Sequence, residues 1–304
     1  MARGLYGAHH LRSNVQRAAI NQIFSRAGQT VCRADPTRKC RVLLSEGQDP
    51  RVHAAAGLIR AQGVAEVQEL KVDAATPDLT AVLTLAAQQL KNGAVDVVVS
   101  GAVATTSAVI KTGLQHLDFA PGTSLISSTF LMVLPDGRTL TYADCGVVPY
   151  PDANKLSQIA VSSARTHKKL TGQNPLTAFL SFSTLGSAQH ERVDVVRSAL
   201  SMARAAAPEL QFEGELQFDA AFVPEVAQRK APASALAGRA NVLIFPNLDA
   251  GNIAYKITER LGGAIAIGPI LQGFSKPWLD LSRGCSAEDI ALAAAVGVLL
   301  QGPS

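Results

Sequence analysis

From Arg41 onward, short apolar runs alternate with stretches of helical periodicity. Periodicity bounded by a proline in the first turn or a glycine at the end predicts helices at residues 50–63 and 80–91. Apolar, β-branched runs followed by turns predict buried strands. These strands are expected at residues 42–44, 95–100, 176–183, 241–246 and 264–270. Alternating strands and helices predict an α/β architecture with a largely parallel sheet.

The first 38 residues differ from this pattern. Ser13 is expected to cap a short helix that ends near Gly28. The apolar stripe of this helix is Val15, Ala19, Ile20, Ile23 and Phe24. Residues 1–41 carry eight basic residues and one acid, a charge of +7, whereas the whole chain carries +4. We therefore expect residues 1–38 to form a basic appendage, which is either an organellar transit peptide or a helix that packs on the body.

The composition favours a folded, soluble protein. The chain has 304 residues, of which 47% are hydrophobic and 17% charged, enough for one large domain or two ordinary ones. No apolar run reaches the roughly 18 residues needed to cross a bilayer. The four cysteines form no CxxC pair, so we expect neither a disulfide framework nor a metal site. The basic charge is concentrated at the N-terminus, which argues against a nucleic-acid-binding body.

Candidate chemistry lies in four turns at predicted strand ends, residues 101–106, 183–187, 249–256 and 280–286. In α/β sheets, ligands bind beyond the carboxyl ends of the strands. The turns combine glycine with hydroxyl groups, and Lys256 and Arg283 add positive charge, which suits a phosphate or acyl phosphate. Ordinary surface loops have a similar composition. None of the four is a Walker loop or a GxGxxG fingerprint, so nucleotide hydrolysis and NAD binding lack support.

Two residues near the last turn have two interpretations each. Asp289 is placed to complete a capping box with Ser286 at the start of an apolar helix over residues 290–300. Alternatively, it is a general base for a thiol, which requires a water-poor cleft. Cys285 is either a nucleophile or a bystander thiol, and the absence of a histidine nearby in sequence favours the second interpretation.

Several segments resemble signatures of the phosphate acetyltransferase (phosphotransacetylase) family. The resemblance runs from about Arg41 to the C-terminus and is dense over residues 123–290. The motifs are most similar to those of the shorter enzymes of ethanolamine utilisation. The segments that carry it are Tyr142-Ala-Asp-Cys145, Ser181-Phe-Ser-Thr-Leu-Gly-Ser187, residues 213–224, Lys230-Ala-Pro-Ala-Ser234, Asn241-Val-Leu-Ile-Phe-Pro246, Gly251-Asn-Ile-Ala-Tyr-Lys256, Gly268-Pro269 and Asp280-Leu-Ser-Arg-Gly-Cys-Ser286.

The resemblance implies two α/β domains with an active-site cleft between them. Domain one would comprise residues 39–122 and 273–304, and domain two residues 123–272. It also implies a homodimer, a cytoplasmic location unless the N-terminus is a transit peptide, and coenzyme A, acetyl phosphate and phosphate as substrates, without a cofactor, a metal, a membrane or a nucleic acid.

The resemblance also implies the roles of single residues. By analogy, Ser282 and Arg283 hold the phosphate and its developing charge, and Asp289 takes the proton of the coenzyme A thiol. The thiolate then attacks the acetyl carbonyl within a ternary complex. The implied substrate-binding residues are Thr105, Thr106, Lys111, Ser183, Thr184, Gly186, Ser187, Asn252, Tyr255 and Lys256.

The sequence departs from the family pattern in domain one. Between Gly63 and Gly101 it is shorter by about one strand–helix unit, and Lys111 stands where arginine is common. Leu279 also stands where asparagine is usual. Two alternatives therefore stay open: transfer of a longer acyl group, propionyl or butyryl, and a non-catalytic regulatory module. The joint presence of Ser282, Arg283 and Asp289 favours catalysis over the regulatory module.

Overall fold

The computed structural model of the protein describes residues 13–71 and 78–302. Within these residues, helices and strands alternate along most of the chain. The helices are α1 (Asn14–Gln29), α2 (Pro50–Ala61), α3 (Leu79–Lys91), α4 (Thr106–His116), α5 (Ala153–Thr171), α6 (Glu191–Ala206), α7 (Phe218–Phe222), α8 (Pro224–Lys230), α9 (Leu248–Arg260) and α10 (Ala287–Gln301). The strands are β1 (Arg41–Leu44), β2 (Glu66–Glu69), β3 (Val97–Ser100), β4 (Ser127–Val133), β5 (Thr139–Ala143), β6 (Leu176–Leu180), β7 (Gln211–Leu216), β8 (Val242–Ile244), β9 (Ile265–Gln272) and β10 (Trp278–Asp280).

The strands form two sheets. The first has the order β10-β3-β1-β2 and is entirely parallel. The second has the order β7-β6-β8-β5-β4-β9, in which β4 runs antiparallel to both β5 and β9 and the other pairs are parallel. The predicted α/β fold with largely parallel sheets is confirmed. The antiparallel pair β4–β5 follows from its short connection, because parallel neighbours need a crossover of a dozen or more residues.

The expected domain boundaries coincide with the division of the strands into two sheets. Every strand of the first sheet lies within residues 39–122 or 273–304, and every strand of the second lies within residues 123–272. The region that the sequence marks as shortened contains strand β2 and helix α3. This distribution is the one that the expected two-domain division requires, and the division itself stays a prediction.

Helix α10 packs between the two sheets. Its residues 290–300 are apolar on all sides, and the helix contacts α1, α2 and α5 together with strands β3, β9 and β10. A helix that is hydrophobic all round must be covered on every face. The core around it includes Val97 and Val99 of the first sheet and Leu131 and Val133 of the second. One hydrophobic core therefore joins the two sheets.

Helix α1 is part of this core. Ser13 caps it as predicted, in a capping box with Gln16. The Gln16 amide donates to the carbonyl oxygens of Val133 at 3.1 Å and Gly263 at 2.9 Å. Ile20 and Ile23 are buried, whereas Val15 of the predicted stripe is 50% exposed. Of the two interpretations of this segment, the described part from residue 13 onward has the structure of the docked helix; residues 1–12 lie outside the described residues.

The approach of α10 to β3 gives a stability prediction. A Cβ atom added at Gly297 would lie 2.4 Å from Cγ1 of the buried Val97, whereas one added at Gly57, on an exposed position of α2, would meet nothing within 4 Å. We expect Gly297→Ala to lower the free energy of unfolding by about 1–3 kcal/mol through overpacking. Gly57→Ala should raise it by about 0.5–1 kcal/mol, because alanine is the better helix former.

Urea denaturation of both variants measures these changes. Val97→Ala removes the side-chain atom that the new Cβ would meet. In the Val97→Ala background, Gly297→Ala should therefore lower the free energy of unfolding by less than it does in the wild-type protein. Stabilisation by Gly297→Ala equal to that of Gly57→Ala would contradict the close helix–strand contact.

Candidate active site

Two loops of the first sheet meet because their strands are neighbours. Strands β3 and β10 are parallel and adjacent, with Ser100 paired to Asp280 at their carboxyl ends. The loop after β3 runs from Gly101 to the start of α4, and the loop after β10 runs to the start of α10. Parallel neighbours end at the same edge of a sheet. The predicted turns 101–106 and 280–286 therefore lie side by side.

These loops form one wall of a cleft with a volume of about 450 Å³. The opposite wall comes from segments of the second sheet and from α9. The lining residues are Ala104, Thr105, Thr106, Ser107, Phe130, Cys145, Gly146, Asn252, Tyr255, Pro269, Leu281, Ser282 and Arg283. Six predicted site residues are thus brought together: Thr105, Thr106, Asn252, Tyr255, Ser282 and Arg283.

The first wall is suited to an anion. Thr105 is the N-cap of α4, and its hydroxyl accepts a hydrogen bond from Ala108 N at 3.2 Å. The helix N-terminus attracts negative charge through its backbone N–H groups. Arg283 lines the same wall with an exposed side chain. A guanidinium can donate two parallel hydrogen bonds to a phosphate.

The second wall is held rigidly. The Tyr255 ring stacks on Phe130 with centroids 4.1 Å apart and an interplanar angle of 13°. Asn252 donates its amide N–H to the carbonyl oxygen of Cys145 at 3.0 Å, and so ties α9 to the loop after β5. The buried carboxylate of Asp144 accepts hydrogen bonds from Gly146 N at 2.8 Å and from the Ser128 hydroxyl at 2.6 Å. These contacts therefore connect the parts of the second wall to one another.

Asp289 has the capping geometry. Its backbone N–H donates to Oγ of Ser286 at 3.1 Å, and its Oδ2 accepts from Ser286 N at 2.9 Å, which completes the predicted capping box of α10. The side chain is exposed, and Asp289 is not among the residues that line the cleft. The structure thus contains the cap, and the general-base role stays a prediction.

The turn at residues 183–187 does not line the cleft. It is folded around the buried carboxylate of Glu215, which accepts from the Ser183 hydroxyl at 2.7 Å and from Gly186 N at 2.9 Å. The backbone N–H of Thr184 donates a hydrogen bond to Oγ of Ser187 at 2.9 Å. These four residues were predicted to bind substrate. Several of their polar atoms already form hydrogen bonds within the protein. Sequence composition alone does not distinguish this turn from the turn at residues 101–106.

Burial acts to raise the pKa of Glu215, but hydrogen bonds from Arg197, Gly186 and Ser183 outweigh it and lower the pKa to about 2. The carboxylate therefore stays charged at neutral pH and holds the turn. Lys111 and Lys256 are exposed and also lie outside the cleft lining. Their predicted contacts with substrate stay predictions.

Two residues that the sequence does not single out, Glu46 in the loop after β1 and Arg51 in the first turn of α2, contact the loops of the first wall. The carboxylate of Glu46 accepts hydrogen bonds from the backbone N–H groups of the β3–α4 loop, and Arg51 donates to the carbonyl of Ala102 at 2.8 Å and of Arg283 at 2.8 Å. Strand β1 is the other neighbour of β3. The loop after β1 also follows a strand and contains Ser45 and Gly47, but Glu46 binds backbone groups that are distant in the chain, which local composition does not reveal.

Asp280 packs beneath the first wall. Burial raises its pKa to about 6, and the nearby Glu46 carboxylate acts in the same direction. Gly101 has a φ of +102°, and a Cβ atom there would lie 2.6 Å from Oδ1 of Asp280. A side chain at residue 101 would therefore be strained and would also collide with the carboxyl group.

Two further observations concern the described residues as a whole. Residues 13–71 and 78–302 contain no helix both long enough and apolar enough to span a bilayer. In the same ranges, no three His, Cys, Asp or Glu side chains cluster in a way that could hold a metal ion.

The chain is similar in sequence to bacterial phosphate acetyltransferases. The family described as "Phosphate acetyl/butaryl transferase" matches residues 68–298. The phosphate acetyltransferase of Acetivibrio thermocellus is 49% identical over 232 residues, which cover 75% of this chain and 70% of that protein. The Paracoccus denitrificans phosphate acetyltransferase is 42% identical over 295 residues, which cover 84% of this chain and 93% of the relative.

Solved phosphotransacetylase structures are similar to this chain in fold. The EutD phosphotransacetylase from Staphylococcus aureus superimposes with a TM-score of 0.84 at 32% identity, covering 93% of this chain and 99% of that one. A phosphotransacetylase from Streptococcus pyogenes gives a TM-score of 0.83 at 34% identity, covering 93% of this chain and 98% of that one. The motif resemblance is thereby confirmed, and the chain belongs to the phosphate acetyl/butaryl transferase family.

Proposed function

We propose that this protein is a phosphate acetyltransferase, which moves an acetyl group between coenzyme A and inorganic phosphate. One observation carries the proposal beyond family membership. The cleft places Ser282 and Arg283 in one lining with the threonine hydroxyls at the N-terminus of α4. Hydroxyl donors, a helix N-terminus and a guanidinium are the groups that bind a phosphate and stabilise negative charge as it develops.

The proposed reaction is a direct acyl transfer in a ternary complex. Asp289 accepts the proton of the coenzyme A thiol, and the thiolate attacks the carbonyl carbon of acetyl phosphate. A carbon–sulfur bond forms, the bond between that carbon and the phosphate oxygen breaks, and phosphate leaves with its electron pair. Ser282 and Arg283 hold the phosphoryl oxygens throughout, so the growing charge is met by fixed donors.

The remaining site residues are proposed to bind substrate. Thr105 and Thr106 would contact the phosphate from the start of α4, and Asn252 and Tyr255 would contact the acetyl and pantetheine parts from the opposite wall. Lys111 and Lys256 would attract the phosphates of coenzyme A from outside the cleft. The two threonines, Asn252 and Tyr255 are assigned these roles because they all line the cleft. The two lysines are assigned theirs because they are positively charged.

The two-domain division and a homodimer belong to the same proposal. The division rests on the sorting of strands into two sheets across residues 39–122 with 273–304 and 123–272. The homodimer is supported by an exposed apolar stripe on and just beyond α9, with Ile253 58%, Ile257 53% and Leu261 84% exposed. Contiguous exposed apolar surface is typical of protein–protein contacts. We also propose a reducing compartment such as the cytoplasm, since all four cysteines are free thiols.

The first test is catalytic. Purified protein should form acetyl-CoA from acetyl phosphate and coenzyme A, followed by thioester absorbance. Arg283→Ala should lower kcat by roughly 10²–10³, because a donor to the developing charge is removed. Lys111→Ala should raise the KM for coenzyme A and leave kcat within a few-fold, because its proposed contact is the same in the ground and transition states.

Comparable losses of kcat in the Arg283 and Lys111 variants would contradict these roles. No thioester formation by the wild-type protein would overturn the activity. Butyryl phosphate as the acyl donor tests the longer acyl group, since one methylene in a pocket changes discrimination by only about 1–3 kcal/mol.

The second test separates the two roles of Asp289. Ser286→Ala removes the N-cap hydroxyl but keeps the Asp289 carboxylate, so it should cost about 0.5–2 kcal/mol of stability and little activity. Asp289→Asn removes the proton acceptor, so kcat should fall by roughly 10²–10⁴ in a folded protein and recover in part at high pH, where solution supplies the thiolate. If kcat of Asp289→Asn matches that of Ser286→Ala at neutral pH, Asp289 is only a cap.

The third test concerns assembly. Sedimentation equilibrium at micromolar concentration should give about twice the chain mass of 31.8 kDa. Ile257→Asp places a charge in the stripe and should shift the distribution to monomers, whereas Leu85→Asp, at an exposed position of α3, should not. A wild-type mass of one chain would contradict the homodimer.

A further inference from the structure

Three of the loops at the carboxyl edge of the first sheet follow neighbouring strands. They follow β1, β3 and β10, and the strand order places the β3 loop between the other two. The β3 and β10 loops line the cleft, whereas the loop after β1 leads into α2 and is not part of the lining. Besides the pairing of β3 with β10, a connection from the β1 side can therefore fix the relative position of the two lining loops.

Arg51, in the first turn of α2, makes that connection. Its Nη1 donates to the carbonyl oxygens of Arg283 at 2.8 Å and Cys285 at 3.0 Å, both in the β10 loop. Its Nη2 donates to the carbonyl oxygen of Ala102 at 2.8 Å, in the β3 loop. One guanidinium thus bonds to the backbone of both loops, including the peptide of Arg283 itself.

The guanidinium is itself oriented by Asp49. Nε of Arg51 donates to Oδ1 at 3.0 Å, and Nη2 donates to Oδ2 at 2.7 Å. Together with the three carbonyls, these contacts use all five N–H groups of an arginine. Lysine has three donors on a single atom and cannot reproduce a planar fork of five. The bonding pattern at residue 51 therefore requires arginine.

Glu46 fixes the β3 loop from the same side. Its Oε2 accepts from Gly101 N at 2.9 Å and Ala102 N at 2.7 Å, and its Oε1 accepts from Val103 N at 3.0 Å and Ala104 N at 2.7 Å. Four successive N–H groups converge on one buried carboxylate. The carbonyl of Ala102 is thus held in place for Arg51 while the loop leads on to Thr105.

We propose that Arg51 is a positioning residue, which sets the separation between the Arg283 loop and the threonine-bearing loop across the cleft wall. It touches no substrate and acts through the main chains of Arg283 and Ala102. This inference rests on the proposed acetyl transfer. Because catalytic groups displaced by about 1 Å can lose about 10²-fold in rate, a loosened connection should reduce turnover more than binding.

The test compares Arg51→Lys with Arg60→Lys. Arg60 lies on the same helix and bonds to a carbonyl (Val67 O, 3.3 Å) and a carboxylate (Glu69 Oε1, 3.1 Å), but outside the cleft. In acetyl-CoA synthesis, Arg51→Lys should lower kcat roughly tenfold to a hundredfold, with both KM values within about threefold of wild type. Arg60→Lys should leave kcat within about twofold.

Chemical rescue gives an independent readout. Millimolar guanidinium should restore part of the kcat of Arg51→Ala, since it can occupy the vacated donor position, and should not change the kcat of Arg60→Ala. If the Arg51 variants do not fold, Asp49→Asn carries the test. Asparagine keeps the N-cap of α2 but weakens the orienting pair, and kcat should fall at least about threefold.

The outcomes separate this inference from the proposed function. Wild-type protein that makes no acetyl-CoA overturns the function, and the inference with it. Active wild-type protein with normal kcat in folded Arg51→Lys, or in Asp49→Asn where it is needed, overturns the inference alone. So does a kcat loss of equal size in Arg60→Lys, or an Arg51→Ala activity that guanidinium does not raise.

Discussion

The close contact of helix α10 with strand β3 sets the position of the helix between the two sheets. Gly297 lets the helix backbone approach Val97, and the helix is buried by both sheets and by α1. The chain reaches α10 through β10, so the position of the helix determines where the loop with Ser282 and Arg283 lies. The capping box at the helix start then fixes Asp289 next to the same loop. A hydrophobic contact thus places the polar groups of the cleft.

Buried carboxylates organise the loops at the strand ends. Glu46 collects four backbone N–H groups after β3, Asp144 accepts from the loop after β5, and Glu215 holds the turn after β6. A carboxylate removed from water is costly unless its oxygens are hydrogen-bonded. Each of these acids therefore fixes a backbone segment, and the segments fixed by Glu46 and Asp144 belong to the cleft walls. Among the residues that line the cleft, Thr105, Thr106, Ser282 and Arg283 are exposed.

The sequence predicts local structure well, because local signals determine it. The capping boxes at Ser13 and Ser286, the strands β1, β3, β6, β8 and β9 and the turns after β3 and β10 are indicated by residues close together in the chain, whereas the other strands were not predicted. The family motifs supply the chemistry of Ser282 and Arg283, which composition alone would not assign.

What the sequence does not predict depends on distant partners. The turns after β3 and β6 are alike in composition, but the second is folded around Glu215, about thirty residues away, and does not line the cleft. Arg51 lies more than 200 residues from Arg283 in the chain, so no spacing rule connects them. Likewise, charge made residues 1–38 look separable, whereas Gln16 and Ile20 of α1 are buried against the body. Tertiary contact decides each of these cases.

In the proposed function, acetyl transfer occurs in the cleft between the two sheets. A crystal structure with coenzyme A and phosphate bound tests it most directly. We expect phosphate oxygens at hydrogen-bond distance, about 2.7–3.2 Å, from the Ser282 hydroxyl and the Arg283 guanidinium, with the thiol on the side of Asp289. Phosphate and thiol bound outside this cleft, for example at the turn of residues 183–187, with no contact to Arg283, would contradict it.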